Sequence, residues 1–361
     1  MSVIKVISSK NISIFFYIIF LLILFSYSYS CSHLVYHPTS IEYYSPTNFG
    51  LAYNDIFFHS KDNVKLHGQI ITSTKTTSAS TATATVQQPS NNKDNNNKNY
   101  KGTILFFHGN AENLSSHFAQ FIFIVNEGYD LVVFDYRGYG KSEGIPDQLG
   151  LYLDSLAALD MAYYHHQDRL RELRELRKLK EFKEEFKNKP PLFVVYGQSL
   201  GGIVAMKGIM NFNQTKRNNI DLIVMDSTFS SYQDISCDIL QRSFLTYIFS
   251  PLAYLLVSDL TEIKSSLPKV NRPVLVIHGT NDSVIPIKFG KEIYDLINPR
   301  VDKWFWIVEK GRHIETFFVG NKIYQKKFLE FLNKIRSSNL STITASAAAA
   351  TISVTTISVT K

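Results

Sequence analysis

Five short runs, 102–107, 131–134, 192–196, 222–225 and 274–277, are almost wholly apolar. Each is too short for a buried helix and is bounded by polar or glycine-containing turns, so each reads as a strand buried on both faces. Between and after them, 113–126, 151–165, 200–210, 285–297 and 320–335 carry apolar residues at three- and four-residue steps, the spacing of helices with one buried face. Strand alternating with helix predicts an α/β fold: a mostly parallel sheet with helices on both faces. Residues 54–59 and 64–71 alternate more and predict an antiparallel pair ahead of the parallel part, and 302–308, with Trp304 and Trp306, predicts a last strand.

The chain has 361 residues with 45% hydrophobic, enough for a large core, and its two Cys exclude a disulfide scaffold or a Cys-based zinc cluster. The formal charge of +7 is modest, and composition alone does not show the basic clustering that nucleic-acid binding needs, so no nucleic-acid partner is expected. Three segments fall outside the expected fold. Residues 12–25 are apolar except Ser13, follow Lys5 and Lys10, and make about 21 Å of helix against the ~30 Å of a bilayer core. Residues 1–35 therefore read as a signal-anchor, or as a cleaved signal peptide ending at Ser28-Tyr29-Ser30. Either way, a single-pass type II or secreted protein with its body luminal or extracellular is expected. Residues 73–99 are a Ser/Thr/Ala and then Asn/Lys-rich insert, and 337–361 are a low-complexity tail. A globular body over 36–336 remains. Cys31 borders the anchor as either an acylation site or an ordinary thiol. Sequons begin at Asn113, Asn213, Asn281 and Asn339, so a glycoprotein is a further expectation.

In a parallel sheet the chemistry sits beyond the carboxyl ends of the strands. After 192–196 comes Gly197-Gln198-Ser199-Leu200-Gly201-Gly202, a G-x-S-x-G turn between strand and helix. This arrangement exposes a serine hydroxyl at a helix head and marks Ser199 as a nucleophile. After 102–107 comes His108-Gly109-Asn110-Ala111. The backbone N–H of Asn110, with Ala111 as its neighbouring alternative, and the N–H of Leu200 are the candidate oxyanion donors. His108 reads as structural. After 274–277 lies Asp282, an N-cap or the acid that orients a histidine; Asp226, also just past a strand, competes for that role. After the last strand, His313 stands on a glycine-containing loop. The order Ser199, Asp282, His313 is that of a nucleophile, acid and base, and their separations of 83 and 31 residues leave folding to unite them. His165-His166 is a rival base at the opposite helix end.

Tyr36-His37-Pro38-Thr39, His108–Asn113, Asp135–Gly144 (Asp-Tyr-Arg-Gly-Tyr-Gly-Lys-Ser-Glu-Gly), Gly197–Gly202, Asp226–Phe229, His278–Pro286 and Gly311–His313 together resemble the α/β-hydrolase superfamily. The resemblance covers about 36–336 and looks closest to the membrane-anchored alpha/beta-hydrolase domain-containing protein 13 branch. It implies an eight-stranded sheet with a short helical cap, Ser199 as nucleophile, Asp282 as acid and His313 as base. It assigns Asp135–Gly144 no chemistry. It also implies a serine hydrolase acting on a carboxylic ester, a lipid or an acyl-thioester, with no metal or organic cofactor. A serine peptidase and a non-catalytic scaffold are the alternatives. The run 168–189, with nine basic and six acidic residues around a leucine stripe, is a solvated helix extension or a partner-binding helix. Residues 237–260, rich in Leu, Phe and Tyr, are a core-packed helix pair or a lid over an acyl pocket.

Overall fold

The computed structural model describes residues 35–75, 100–177 and 189–338. The eight strands of its main sheet are β1 (Leu51–His59), β2 (Lys65–Lys75), β3 (Gly102–Phe107), β4 (Tyr129–Phe134), β5 (Leu192–Gln198), β6 (Leu222–Asp226), β7 (Val274–Gly279) and β8 (Lys303–Val308). They form one sheet in the order β8-β7-β6-β5-β3-β4-β2-β1. β3 to β8 run parallel, while β1 pairs with β2, and β2 with β4, in antiparallel register. Every residue of β3, β4, β5, β6 and β7 is buried, which is why these runs carry no polar alternation. β1, at the edge, alternates between exposed and covered positions.

The labelled helices are α1 (Gln148–Arg177), α2 (Leu200–Asn211), α3 (Tyr232–Gln241), α4 (Ile287–Leu296) and α5 over 323–338. One face of the sheet presents Ile104, Phe106, Val194, Tyr196, Val224 and Ile277. These pack with Phe118 and Phe121 from the helical run 114–126 and with Phe328 and Leu332 of α5. α1 and α2 pack on each other, and α1, α2 and α4 pack on the strands. Each fully buried Phe or Leu in such a core contributes about 1.5–3 kcal/mol.

Helix boundaries depart from the sequence expectation where backbone geometry overrides periodicity. The predicted helix 113–126 breaks into Leu114–His117, Phe118–Phe121 and Ile122–Asn126, the middle piece a tighter 3-10 turn. The break lets Phe118 and Phe121 both reach zero exposure. Helix 151–165 and the described part of the charge run form the single helix α1, because no Gly or Pro separates them. α5 starts late, after Gly320, Asn321 and Lys322 each turn through positive φ.

The chain divides into two compact units. The smaller includes Tyr232–Leu260, and the larger holds the sheet. Within Tyr232–Leu260, α3 is followed by a 3-10 turn, Tyr247–Leu252, and a short helix, Ala253–Leu256. Gln233 Nε2 donates to the carbonyls of Tyr254 and Val257, and Asp259 accepts the Tyr232 N–H. The segment leaves Phe244 94%, Leu245 79%, Ile248 73% and Leu255 74% exposed, so these side chains are not core-packed. Its chain position, between β6 and β7, is the one expected for a cap.

No helix among the described residues is long and apolar enough to cross a membrane. The apolar run 12–25, Cys31, nearly all of the insert 73–99, Asn339 and the rest of the tail lie outside the described residues.

Candidate active site

Gly197 and Gly201 make the turn at Ser199 possible. A Cβ on Gly197 would sit 2.6 Å from the Gly201 carbonyl, and one on Gly201 would strike the Phe107 carbonyl. Between them Ser199 adopts φ 54° and ψ −123°, a conformation that costs a non-glycine residue of order 1–3 kcal/mol. Both of its backbone groups are gripped: its N–H donates to the Asp226 carbonyl at 2.8 Å, and its carbonyl accepts from Thr228 Oγ1 at 2.6 Å. The strain is thus over-determined by the neighbouring strand end. α2 begins at the next residue, Leu200, whose N–H has no acceptor within the helix.

His313 Nε2 lies 3.0 Å from Ser199 Oγ, and His313 Nδ1 lies 2.8 Å from Asp282 Oδ2. The three residues enter from the ends of β5, β7 and β8, so parallel strand order alone brings them to one edge. Asp282 also accepts the N–H groups of Val284 and Ile285 on Oδ1, at 2.9 and 2.8 Å, which fixes its carboxylate plane. One oxygen of Asp282 thus closes a local turn while the other faces the imidazole; the helix begins only at Ile287 with Pro286 as its N-cap, so the N-cap reading of Asp282 does not hold. Asp226 is not the partner of His313; Tyr196, Gln198, Ser227 and Thr316 occupy its oxygens.

The loop after β3 passes beside the serine, since a Cβ on Gly109 would lie 3.7 Å from Ser199 Cβ. Asn110 Oδ1 accepts from the Tyr139 hydroxyl at 2.8 Å. His117 Nε2 bonds the Ala111 carbonyl at 2.9 Å. Asn113 Nδ2 donates to the carbonyls of Thr39 and Ile41, and its Oδ1 accepts from the Ser115 N–H. Asn113 is therefore buried and committed, which removes it as a glycan acceptor; Asn213 and Asn281 are exposed.

His108 is structural: it is buried, bonds the Gly109 carbonyl through Nδ1, and stacks on His117. Burial holds the imidazoles of His108, His117 and His278 below the ordinary range, so all three are neutral at pH 7. His165 and His166 lie away from the site, bonded to Asp130 and to the Tyr100 hydroxyl.

Asp135–Gly144 is held by buried charge. The Arg137 fork spans Asp154 and Asp62, and Asp135 Oδ1 accepts the Leu114 N–H. A cleft of about 350 Å³ opens beside His313, lined also by Glu112, Ser116, His117, Gln120 and Phe318. Sequence reading missed Thr228, Thr316 and Gln120, small or neutral polar residues whose partners are far away in the chain.

Residues 98–247 match the Hydrolase_4 family, described as serine aminopeptidase, S33. The uncharacterized protein YfhR of Salmonella typhi is 30% identical over 288 residues, spanning 78% of this chain and 80% of that protein. The alpha/beta hydrolase domain-containing protein WAV2 of Arabidopsis thaliana is 26% identical over 300 residues, spanning 80% of this chain and 82% of WAV2. Among solved structures, the Pyrococcus furiosus esterase Pf2001 superposes with a TM-score of 0.55 at 20% identity, covering 83% of this chain and 97% of that one, a likeness of fold. With the sheet order, the strained serine turn and these relatives together, the chain belongs to the α/β-hydrolase superfamily.

Proposed function

We propose that this protein is a serine hydrolase that cleaves carboxylic ester or thioester bonds. The observation that carries the reading is the continuous line from Ser199 Oγ to His313 Nε2, 3.0 Å, and from His313 Nδ1 to Asp282 Oδ2, 2.8 Å. In this reading His313 takes the serine proton as Ser199 attacks the carbonyl carbon. The N–H groups of Leu200 and Asn110 hold the oxyanion, worth about 3–4 kcal/mol per donor in comparable sites. His313 then protonates the leaving group, which departs and leaves an acyl-serine. Water, deprotonated by His313, releases the acid and regenerates the serine. Asp282 fixes the imidazole tautomer and stabilises the imidazolium. The small-molecule substrate, ester, lipid or acyl-thioester, enters the cleft beside His313.

The test is labelling by a fluorophosphonate probe: the parent chain labels, and Ser199→Ala does not. A parent that stays unlabelled while folded removes the proposal and leaves a non-catalytic scaffold. The aminopeptidase description of the matched family favours amides as a second reading; comparing p-nitrophenyl ester with p-nitroanilide turnover decides between them. In the same reading, residues 12–25 tether the body to a membrane, in the manner of the alpha/beta-hydrolase domain-containing protein 13 branch. Protection of the body from protease in sealed membranes tests that placement.

A further inference from the structure

Asp226 ends β6 beneath the nucleophile turn and is fully buried. Its Oδ2 accepts from the Tyr196 hydroxyl at 2.7 Å and from Gln198 Nε2 at 3.3 Å. Its Oδ1 accepts from Ser227 Oγ at 3.0 Å and from Thr316 Oγ1 at 3.1 Å. A buried carboxylate needs such donors. Two of them come from β5 and one from the residue after β6. The fourth comes from the loop that carries His313, three residues past the imidazole.

That loop needs fixing. Lys310 and Ile314 hold positive φ, 59° and 56°, without being glycine. Its leading shoulder is tied to the acid loop: the Asn281 N–H donates to the Gly311 carbonyl at 2.9 Å, and the Lys310 N–H donates to Thr280 Oγ1 at 2.8 Å. Its trailing shoulder is tied to Asp226 through buried Thr316. Asp226 in turn grips Ser199 through its backbone carbonyl. The chain of contacts runs Ser199, Asp226, Thr316, His313.

We propose that Asp226 and Thr316 are positioning residues: their bond sets the approach of His313 Nε2 to Ser199 Oγ by joining the histidine loop to the nucleophile turn. The inference rests on the serine-hydrolase reading. Neither residue touches the reacting atoms. Misplacement by about 1 Å in a catalytic pair lowers turnover up to about a hundredfold.

The test uses the full chain and three variants. Thr316→Val removes the donor and keeps the shape, Thr316→Ser keeps the hydroxyl, and Ser227→Ala removes the other donor from the same carboxylate oxygen. Readouts are kcat and KM on a p-nitrophenyl ester, the rate of fluorophosphonate inactivation, and the urea midpoint. Thr316→Val is expected to lower kcat and the inactivation rate between about tenfold and a hundredfold with KM unchanged. Thr316→Ser is expected to recover most of both, and Ser227→Ala to stay within about twofold of the parent. Thr316→Ala replaces the valine variant if that one does not fold. The inference is overturned if the parent labels at Ser199 yet Thr316→Val is as fast, or if Ser227→Ala is as slow. A parent that never labels defeats the hydrolase reading itself, a different result.

Discussion

Replacing Arg137 with Met isolates the buried charge that shapes the turn after β4. Arg137 is 6% exposed, and its guanidinium reaches Asp154 through Nε and Nη2, at 3.1 and 2.8 Å, and Asp62 through Nη1 and Nη2, both at 2.8 Å. Asp154 has no exposure, and burial pushes its carboxyl up to about 6 even with the Arg137 fork opposing the rise. Arg137→Met leaves Asp154 with the Arg137 backbone N–H, 2.9 Å away, as the remaining partner among these contacts. Stranding a buried charge costs about 3–5 kcal/mol, a large share of a total near 5–15. Asp62 is partly exposed and returns to water, so its loss adds at most ~1 kcal/mol. With an m-value of roughly 3 kcal/mol/M in urea for a chain this long, the midpoint falls by about 1–2 M. Adding Asp154→Leu removes the stranded charge and is expected to recover about 2 kcal/mol. The single variant's deficit also shrinks at pH 5, where Asp154 takes up a proton. A midpoint shift below about 0.3 M, or a double variant no better than the single, refutes the reasoning.

Asp282→Asn presents an amide to His313 Nδ1 and favours the wrong tautomer, so kcat falls by about 10³–10⁴ while the fold stays intact; a loss under tenfold in ester turnover argues against Asp282 as the acid. His166 is pulled down to about 3 by burial, and His108, His117 and His278 are lowered for the same reason. Their unfolded forms take up protons below about 6.5 while the folded forms do not, so stability is lost as pH falls from 6.5, about 2 kcal/mol at pH 5 for His166. His67 works in the opposite sense: burial pulls it down, but Asp135 and Asp55 outweigh that and raise it, so its contribution is held at low pH and lost as pH rises. Urea midpoints from pH 7.5 to 5 check the sum, and a flat profile contradicts it. Gly201→Ala drives a methyl into the Phe107 carbonyl and is expected to cut fluorophosphonate labelling strongly; unchanged labelling would show that the turn has slack. Leu255 is 74% exposed, so Leu255→Asp leaves the urea midpoint unchanged. It is expected to slow hydrolysis of long-chain esters on vesicles more than of short soluble ones, and an equal effect on both counts against a lipid-facing role.

The parallel strands were legible because total burial on both faces removes polar residues from them, and 102–107 and 222–225 carry that mark directly. The serine turn was legible because its glycines answer a steric demand within six residues. Asp282 was harder to separate from Asp226: both are acidic residues just past strands, and only the packed loops show which one faces an imidazole. Thr316 left no local trace, since its partner lies 90 residues earlier. Helix ends were the least legible. The aromatic crowding at Phe118 and Phe121 and the three positive φ angles before α5 arise from tertiary packing, which periodicity does not encode.

Among the described residues β8 sits at the edge of the sheet and pairs with β7 alone, and the imidazole follows it in the chain. During synthesis the serine and the carboxylate leave the ribosome well ahead of the base. A nascent chain can build most of its layers and still lack a proton acceptor. In the proposed reading, catalysis therefore waits until the final strand docks, and a chain ending upstream of His313 lacks the base.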